Sequence, residues 1–89
     1  MLILEYSSQF KKDFKKVTKM PISDIVEVGN VIATLQKGQT LAAKYVDHSL
    51  AGNWIGFRDC HIKPDLVLIY RAHRNLLQLA RIGSHSALF

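Results

Sequence analysis

Leu66-Val67-Leu68-Ile69-Tyr70-Arg71 is a continuous apolar run that closes on an arginine. A strand with one face in water alternates apolar and polar residues. A strand without alternation belongs at the centre of a sheet, covered on both faces. The flanking sequence agrees. Trp54 to Cys60 reads as the strand before this run and Leu76 to Ile82 as the strand after it. The connections, Ile62-Lys63-Pro64-Asp65 and Ala72-His73-Arg74-Asn75, are short enough for hairpins. The C-terminal half is therefore predicted to be an antiparallel meander.

Upstream, Leu2 to Tyr6 reads as a short strand, after which Ser7 or Ser8 can cap a helix by satisfying an orphan backbone N–H. Phe10, Phe14 and Val17 follow at helical spacing, with lysines on the remaining positions, and Met20-Pro21 breaks this helix. Ser23 is the expected cap of a second helix, with Asp24 and Glu27 near its positive end. Its buried stripe is predicted as Ile25, Val28, Ile32 and Leu35, and Gly38 as its C-terminal stop. Gly29 costs about 1 kcal/mol against alanine inside a helix, which close approach of the first helix would justify. Gln39 to Asn53 has no clear period and is expected to form a long loop holding Asp47-His48. The fold class is α+β: an N-terminal strand and helical hairpin packed on an antiparallel β-sheet, whose other face is free to be a basic, polar binding surface. With 89 residues, 48% of them hydrophobic, residues 1–89 are expected to form a single domain.

The balance of 12 lysines and arginines against 7 acidic residues makes the chain basic, with a net charge of +5. Such a chain is drawn to polyanions, either nucleic acid or an acidic protein. Lys11, Lys12, Lys15, Lys16 and Lys19 crowd the first predicted helix, where the plainest reading is a solvated face. A single cysteine excludes an intrachain disulfide and fits a reducing cytoplasm. The N-terminal apolar run is too short for a signal peptide, and no stretch approaches the ~20 residues that span a bilayer. A cytoplasmic protein without membrane partners is expected.

The residues that carry chemistry lie at predicted strand edges and in loops: His48, His61, Asp65 and His85. Histidine's ordinary pKa, roughly 6.5, lets it exchange protons near neutrality. Cleavage of RNA without a metal needs a base for the 2′-OH, an acid for the 5′-oxygen and cations for the phosphate. The histidines and Asp65 can supply the first two. Arg58 and Arg81 can supply the third, because a guanidinium fork matches phosphate oxygens. Phe89, an aromatic at the end of the chain, is a candidate for stacking on an RNA base. His61 and Asp65 bracket a turn, so one could be the base and the other its orienting partner. His73 falls in a hairpin turn and should simply be solvated. Trp54 and Tyr70 are expected to be structural, and Cys60 is expected to be buried in mid-strand. No metal site is expected, since the sequence has neither His-Glu-x-x-His nor a close histidine pair on a predicted helix. No cofactor is expected either.

Taken in order, Asp47-His48, Leu50, Gly52, Trp54, Gly56, Arg58-Asp59, His61, Pro64-Asp65, Leu68-Ile69-Tyr70, Arg81, Gly83, His85 and Leu88-Phe89 form a specific set. It resembles the RelE/YafQ family of bacterial toxins, and the YafQ branch in particular. Glu5-Tyr6-Ser7 and Lys12-Asp13 extend the resemblance to essentially the whole chain. The resemblance implies a RelE/ParE-like fold and a ribosome-dependent mRNA endonuclease held inactive by a cognate antitoxin. The partners it implies are mRNA, the A site of the small ribosomal subunit and that antitoxin, which the charge of this chain predicts to be acidic. It also implies that His85 is catalytic, as proton donor to the leaving oxygen, and that His48 is a site residue. Two rival functions remain. A ParE-like topoisomerase poison would share the fold but has no need of groups titrating near neutrality. A non-catalytic RNA or ribosome binder would keep the charge and dispense with the histidines.

Overall fold

In the computed structural model, which describes residues 1–89, the chain runs β1 (Ile3–Tyr6), α1 (Ser8–Val17), α2 (Ile22–Gln36), β2 (His48–Ser49), β3 (Arg58–Lys63), β4 (Leu66–His73), β5 (Leu76–Gly83) and α3 (His85–Leu88). Tight 3-10 turns occupy Ala43–Tyr45 and Gly52–Trp54. The sheet order is β1-β5-β4-β3-β2, which places the apolar run of β4 at the centre as predicted. β2 to β5 pair antiparallel. β1 joins β5 in parallel, so the sheet is mixed, and the N-terminal strand belongs to it instead of packing on it. The pairing closes what would be an open edge on β5. The Ile3 N–H donates to the Asn75 carbonyl at 2.8 Å and the Ser7 N–H to the Leu79 carbonyl at 3.1 Å.

Each face of β4 has its own cover. On one side Leu66, Leu68 and Tyr70 meet Phe10 and Val17 of α1 and Val28, Val31 and Leu35 of α2. On the other side Val67 and Ile69 pack with Leu88 of α3, and Leu50, Trp54, Phe57 and Ala80 close around them. The second face is thus partly apolar, not wholly the open polar surface expected. Trp54 packs there from a turn, since β3 starts at Arg58 and not at Trp54. Gly52 at φ +64° and Gly56 at φ +89° explain the late start, because positive φ bends the chain out of the extended strand.

Helix ends follow local chemistry. Ser7 Oγ accepts from the Phe10 N–H at 2.9 Å and donates to the Ala80 carbonyl at 2.7 Å, capping α1 and tying it to β5. The second helix starts earlier than predicted. Pro21 is its N-cap and Ser23 lies inside its first turn. The Pro21 carbonyl receives the Asp24 N–H at 2.9 Å and the Ile25 N–H at 3.3 Å, so no side-chain cap is needed. Gly29 is exposed, and a Cβ there would meet nothing within 4 Å. Close helix approach is therefore not its reason.

The seam between α1 and β5 is held by an ion pair. Asp13 Oδ2 accepts from Arg81 Nε at 2.8 Å and from the Ile82 N–H at 3.2 Å. Its Oδ1 accepts from Arg81 Nη2 and from Gln9 Nε2, both at 3.0 Å. A bulge lets Arg81 reach. Ile69 pairs with Arg81 but Tyr70 pairs with Leu79, so Ala80 is the extra residue. Burial by itself would raise the Asp13 pKa, but the bonds from Arg81, Gln9 and Ile82, with the Arg81 charge, outweigh it and hold the carboxyl below its ordinary value. A depressed folded pKa gives stability that is present above the unfolded value, about 3.9, and is lost as pH falls through the lower folded value. Asp13→Asn should therefore be less stable than wild type at neutral pH by about 1–3 kcal/mol, with the gap closing below about pH 4. Denaturant melts of both proteins across that range check it, and a gap of constant size would show that the charge of Asp13 contributes nothing.

Candidate active site

Alternation along β3 divides its side chains between the two sheet faces. Cys60 and Ile62 enter the core beneath the helices, which turns Asp59 and His61 to the opposite face. β2 then pairs with β3 so that His48 stands opposite Asp59. His61 is thus a strand residue, not part of the turn it was expected to bracket. The His48 and His61 rings lie 6.5 Å apart between centroids. His48 Nδ1 lies 2.9 Å from the Val46 carbonyl and 3.1 Å from Asp59 Oδ1. The ring nitrogen has hydrogen-bond geometry toward Val46, whereas Asp59 Oδ1, although close, has no hydrogen-bond partner. Val46 itself sits at φ +50°, a costly conformation for a β-branched residue, in the turn that leads into β2.

The second group forms where β5 enters α3. Ser84 Oγ caps α3 by accepting from the Ala87 N–H at 3.2 Å. Asp65 Oδ1 accepts from the His85 backbone N–H, also at 3.2 Å. Asp65 therefore fixes the start of the helix that presents His85. The Phe89 ring lies against the His85 ring with centroids 4.9 Å apart. Gly83 is not among the glycines with positive φ, and the capped Ser84 makes the turn. His61 pairs with Val67 and Val67 with Gly83, so the two groups share one sheet face. At the ~4.8 Å spacing of neighbouring strands, His61 and Gly83 are roughly 10 Å apart along that row.

The arginines are placed differently. Arg58 pairs with Tyr70, on the helix side of the sheet and away from His61, because neighbouring strand residues face opposite ways. Asp47 holds it there, with Oδ1 accepting from Arg58 Nε at 3.2 Å and from the Tyr70 hydroxyl at 2.7 Å. Asp47 therefore turns away from its neighbour His48. Arg81 lines a cleft with Asp65, Gly83 and Ser84 while its Nε and Nη2 are engaged by Asp13, so its remaining N–H groups are what it can offer a phosphate. His73 is exposed at the end of β4, solvated as expected.

A family model described as "Bacterial toxin of type II toxin-antitoxin system, YafQ" matches residues 2–89. The chain belongs to the YafQ toxin family. It is 42% identical over 88 residues to the mRNA interferase toxin YafQ of Escherichia coli strain K12, covering 97% of this chain and 94% of that one. YafQ in a crystal structure of the E. coli DinJ–YafQ toxin–antitoxin complex superposes with a TM-score of 0.85 at 37% identity, over 99% of this chain and 97% of the other. A metal-bound toxin from Helicobacter pylori superposes at 0.87 with 42% identity, and each chain is covered fully. In this YafQ-family chain no group of three or more histidine, cysteine, aspartate or glutamate side chains stands where it could hold one ion. The residues present do not make a metal site, and no step below runs through one. No helix is long and apolar enough to cross a membrane.

Asp59 and Asp13 are the two residues at or near the site whose part the sequence reading missed. The available signal was the spacing Asp59-x-His61, which puts both side chains on one face of a strand. Cys60, between them, is fully buried, and burial first, then the charges of Asp47 and Asp59, push its thiol up to about 12. The thiolate is the nucleophile, so this cysteine is chemically inert in the folded protein. Alkylation by iodoacetamide at neutral pH should be undetectable in the native state and complete in denaturant. Rapid native labelling, read by mass spectrometry, would return Cys60 to the list of candidate nucleophiles.

Proposed function

We propose that the chain is the toxin of a type II toxin–antitoxin system and an mRNA interferase, cutting mRNA on the ribosome by acid–base chemistry of its own side chains. The observation that carries this reading is the gathering of His48, His61, Asp65 and His85 on one sheet face in a chain of this family. The ribose 2′-oxygen attacks the adjacent phosphorus as a base takes its proton, and the P–O5′ bond breaks as an acid protonates O5′. His85 is the acid. It is exposed on a helix whose start is fixed by Asp65 and Ser84, so its ring is presented while its backbone is held. His48 and His61 are close enough to act on one ribose. Arg81 offers its free N–H groups to the phosphate, and Phe89, half exposed beside His85, offers a face to a base. The exposed lysines of α1 supply charge for ribosomal RNA.

The deciding experiment adds the protein to translating ribosomes and maps mRNA ends. Cleavage within codons supports the nuclease; intact mRNA with arrested supercoiling would make the chain a topoisomerase poison. His85→Ala should keep the fold and lose about 10²–10⁴-fold in cleavage rate. A purified variant cutting within tenfold of wild type would remove His85 from the mechanism.

The DinJ–YafQ complex and the net charge of +5 together support an acidic antitoxin wrapped over the basic surface. Complementary charge speeds association and makes it salt-sensitive. The association rate with the cognate antitoxin should therefore fall steeply as ionic strength rises. A rate indifferent to salt would mean that the antitoxin docks on apolar surface alone.

A further inference from the structure

Asp59 has no part in the scheme above, yet it lies at the centre of the site. Its side chain is only 4% exposed and its Oδ1 lacks a well-aligned hydrogen bond. Leaving a carboxylate buried and incompletely paired costs stability, and such groups are kept where they hold something else. Cys60 and Ile62, further along the same strand, face the core beneath the helices, and alternation turns Asp59 away from that packing.

What it holds is legible from the oxygens around one nitrogen. His48 Nδ1 has the Val46 carbonyl at 2.9 Å and Asp59 Oδ1 at 3.1 Å. Both are acceptors. An unprotonated Nδ1 would aim its lone pair at two oxygens, so Nδ1 must carry a proton, and in the neutral ring Nε2 is then the free acceptor. Free histidine prefers the opposite tautomer, with the proton on Nε2. The strained Val46 turn aims its carbonyl at Nδ1, and the pairing of His48 with Asp59 brings a buried carboxylate charge to 3.1 Å from the same nitrogen, where it favours the protonated Nδ1.

We propose that Asp59 is a positioning residue that holds His48 in its Nδ1–H tautomer, so that Nε2 of His48 is the general base. This rests on the nuclease reading and assigns a role left open among His48, His61 and Asp65. In the reaction the 2′-OH proton passes to His48 Nε2, O2′ bonds to phosphorus, P–O5′ breaks and O5′ takes its proton from His85. The His48 side chain is half exposed and can meet the ribose, while Asp59 lies behind it and touches no substrate. The logic is that of a carboxylate orienting a catalytic imidazole, where loss of the carboxylate removes the enforcement of the tautomer.

Long-range proton–nitrogen correlation spectra of ¹⁵N-labelled protein at about pH 8, where an ordinary imidazole is neutral, read the tautomer directly. His48 of the wild type should show the Nδ1–H pattern. Asp59→Asn keeps the shape but removes the negative charge beside Nδ1 and brings an amide that can donate to it, so the pattern should shift toward Nε2–H. A wild-type His48 with its proton on Nε2 overturns the proposal, and this readout stands whether or not the protein proves to be a nuclease or the variant folds well. In the ribosome assay Asp59→Asn should lose about 10²–10³-fold in kcat with KM nearly unchanged, and should add little further loss to His48→Ala. Wild-type kcat in Asp59→Asn, or losses that multiply in the double variant, would also sink it. Absence of cleavage by the wild type itself would count against the nuclease reading and leave the tautomer result to stand alone.

Discussion

Burial of β4 on both faces is the constraint from which the rest of the structure follows. Leu66 to Tyr70 are each 4% exposed or less. Neighbouring residues of a strand face opposite ways, so such a run creates two apolar surfaces, and each needs its own cover. The helical hairpin covers the larger one. The other is covered by Leu88 of α3 and by Leu50, Trp54 and Phe57 from the segment before β3. These lids carry the candidate site residues. α3 brings His85 and Phe89 with Leu88, and the segment that contributes Leu50 also contributes His48. A site assembled from the pieces that seal a core is positioned by packing, so its precision comes at little extra cost in conformational entropy.

Polar groups then pin the pieces in register. Asp13 joins α1 to β5 through Arg81, Asp47 joins the loop before β2 to Arg58 and Tyr70, and Asp65 joins the β3–β4 turn to α3. Each of these carboxylates is placed where it accepts from groups on a distant part of the chain. Tyr70 shows the consequence for chemistry. Burial first, and then its bond to Asp47, push its hydroxyl well above the ordinary tyrosine range, so it stays protonated and serves the scaffold. With these acids committed to internal contacts, the lysines of α1 stay exposed and give the surface its positive character. The same chain therefore commits Asp13, Asp47 and Asp65 to internal contacts and keeps a basic exterior suited to a polyanion.

The apolar run at 66–71, the Phe10-Phe14-Val17 stripe, the break at Pro21 and the single buried cysteine are legible in the sequence, because periodicity and local backbone chemistry act over a few residues. In the second helix Val28 and Leu35 are buried as expected, but Val31 takes the core place expected of Ile25. Also legible are His48, His61, Asp65 and His85 as a set of residue types suited to phosphodiester cleavage. What the sequence could not settle was where those side chains point. Trp54 to Cys60 reads as one strand in the sequence, yet the positive φ of Gly52 and Gly56 delays the strand to Arg58. Sequence alone groups Arg58 with His61, but the two lie three positions apart in one strand and so face opposite ways, and Asp47 secures Arg58 on the far face. The parallel pairing of β1 at the edge, the Asp13 clamp on Arg81 and the placement of Asp59 behind His48 all join residues distant in the chain. Composition and spacing determined which chemistry was available to this protein. Tertiary structure decided which groups meet, because strand register and the two covers of β4 set every distance between them.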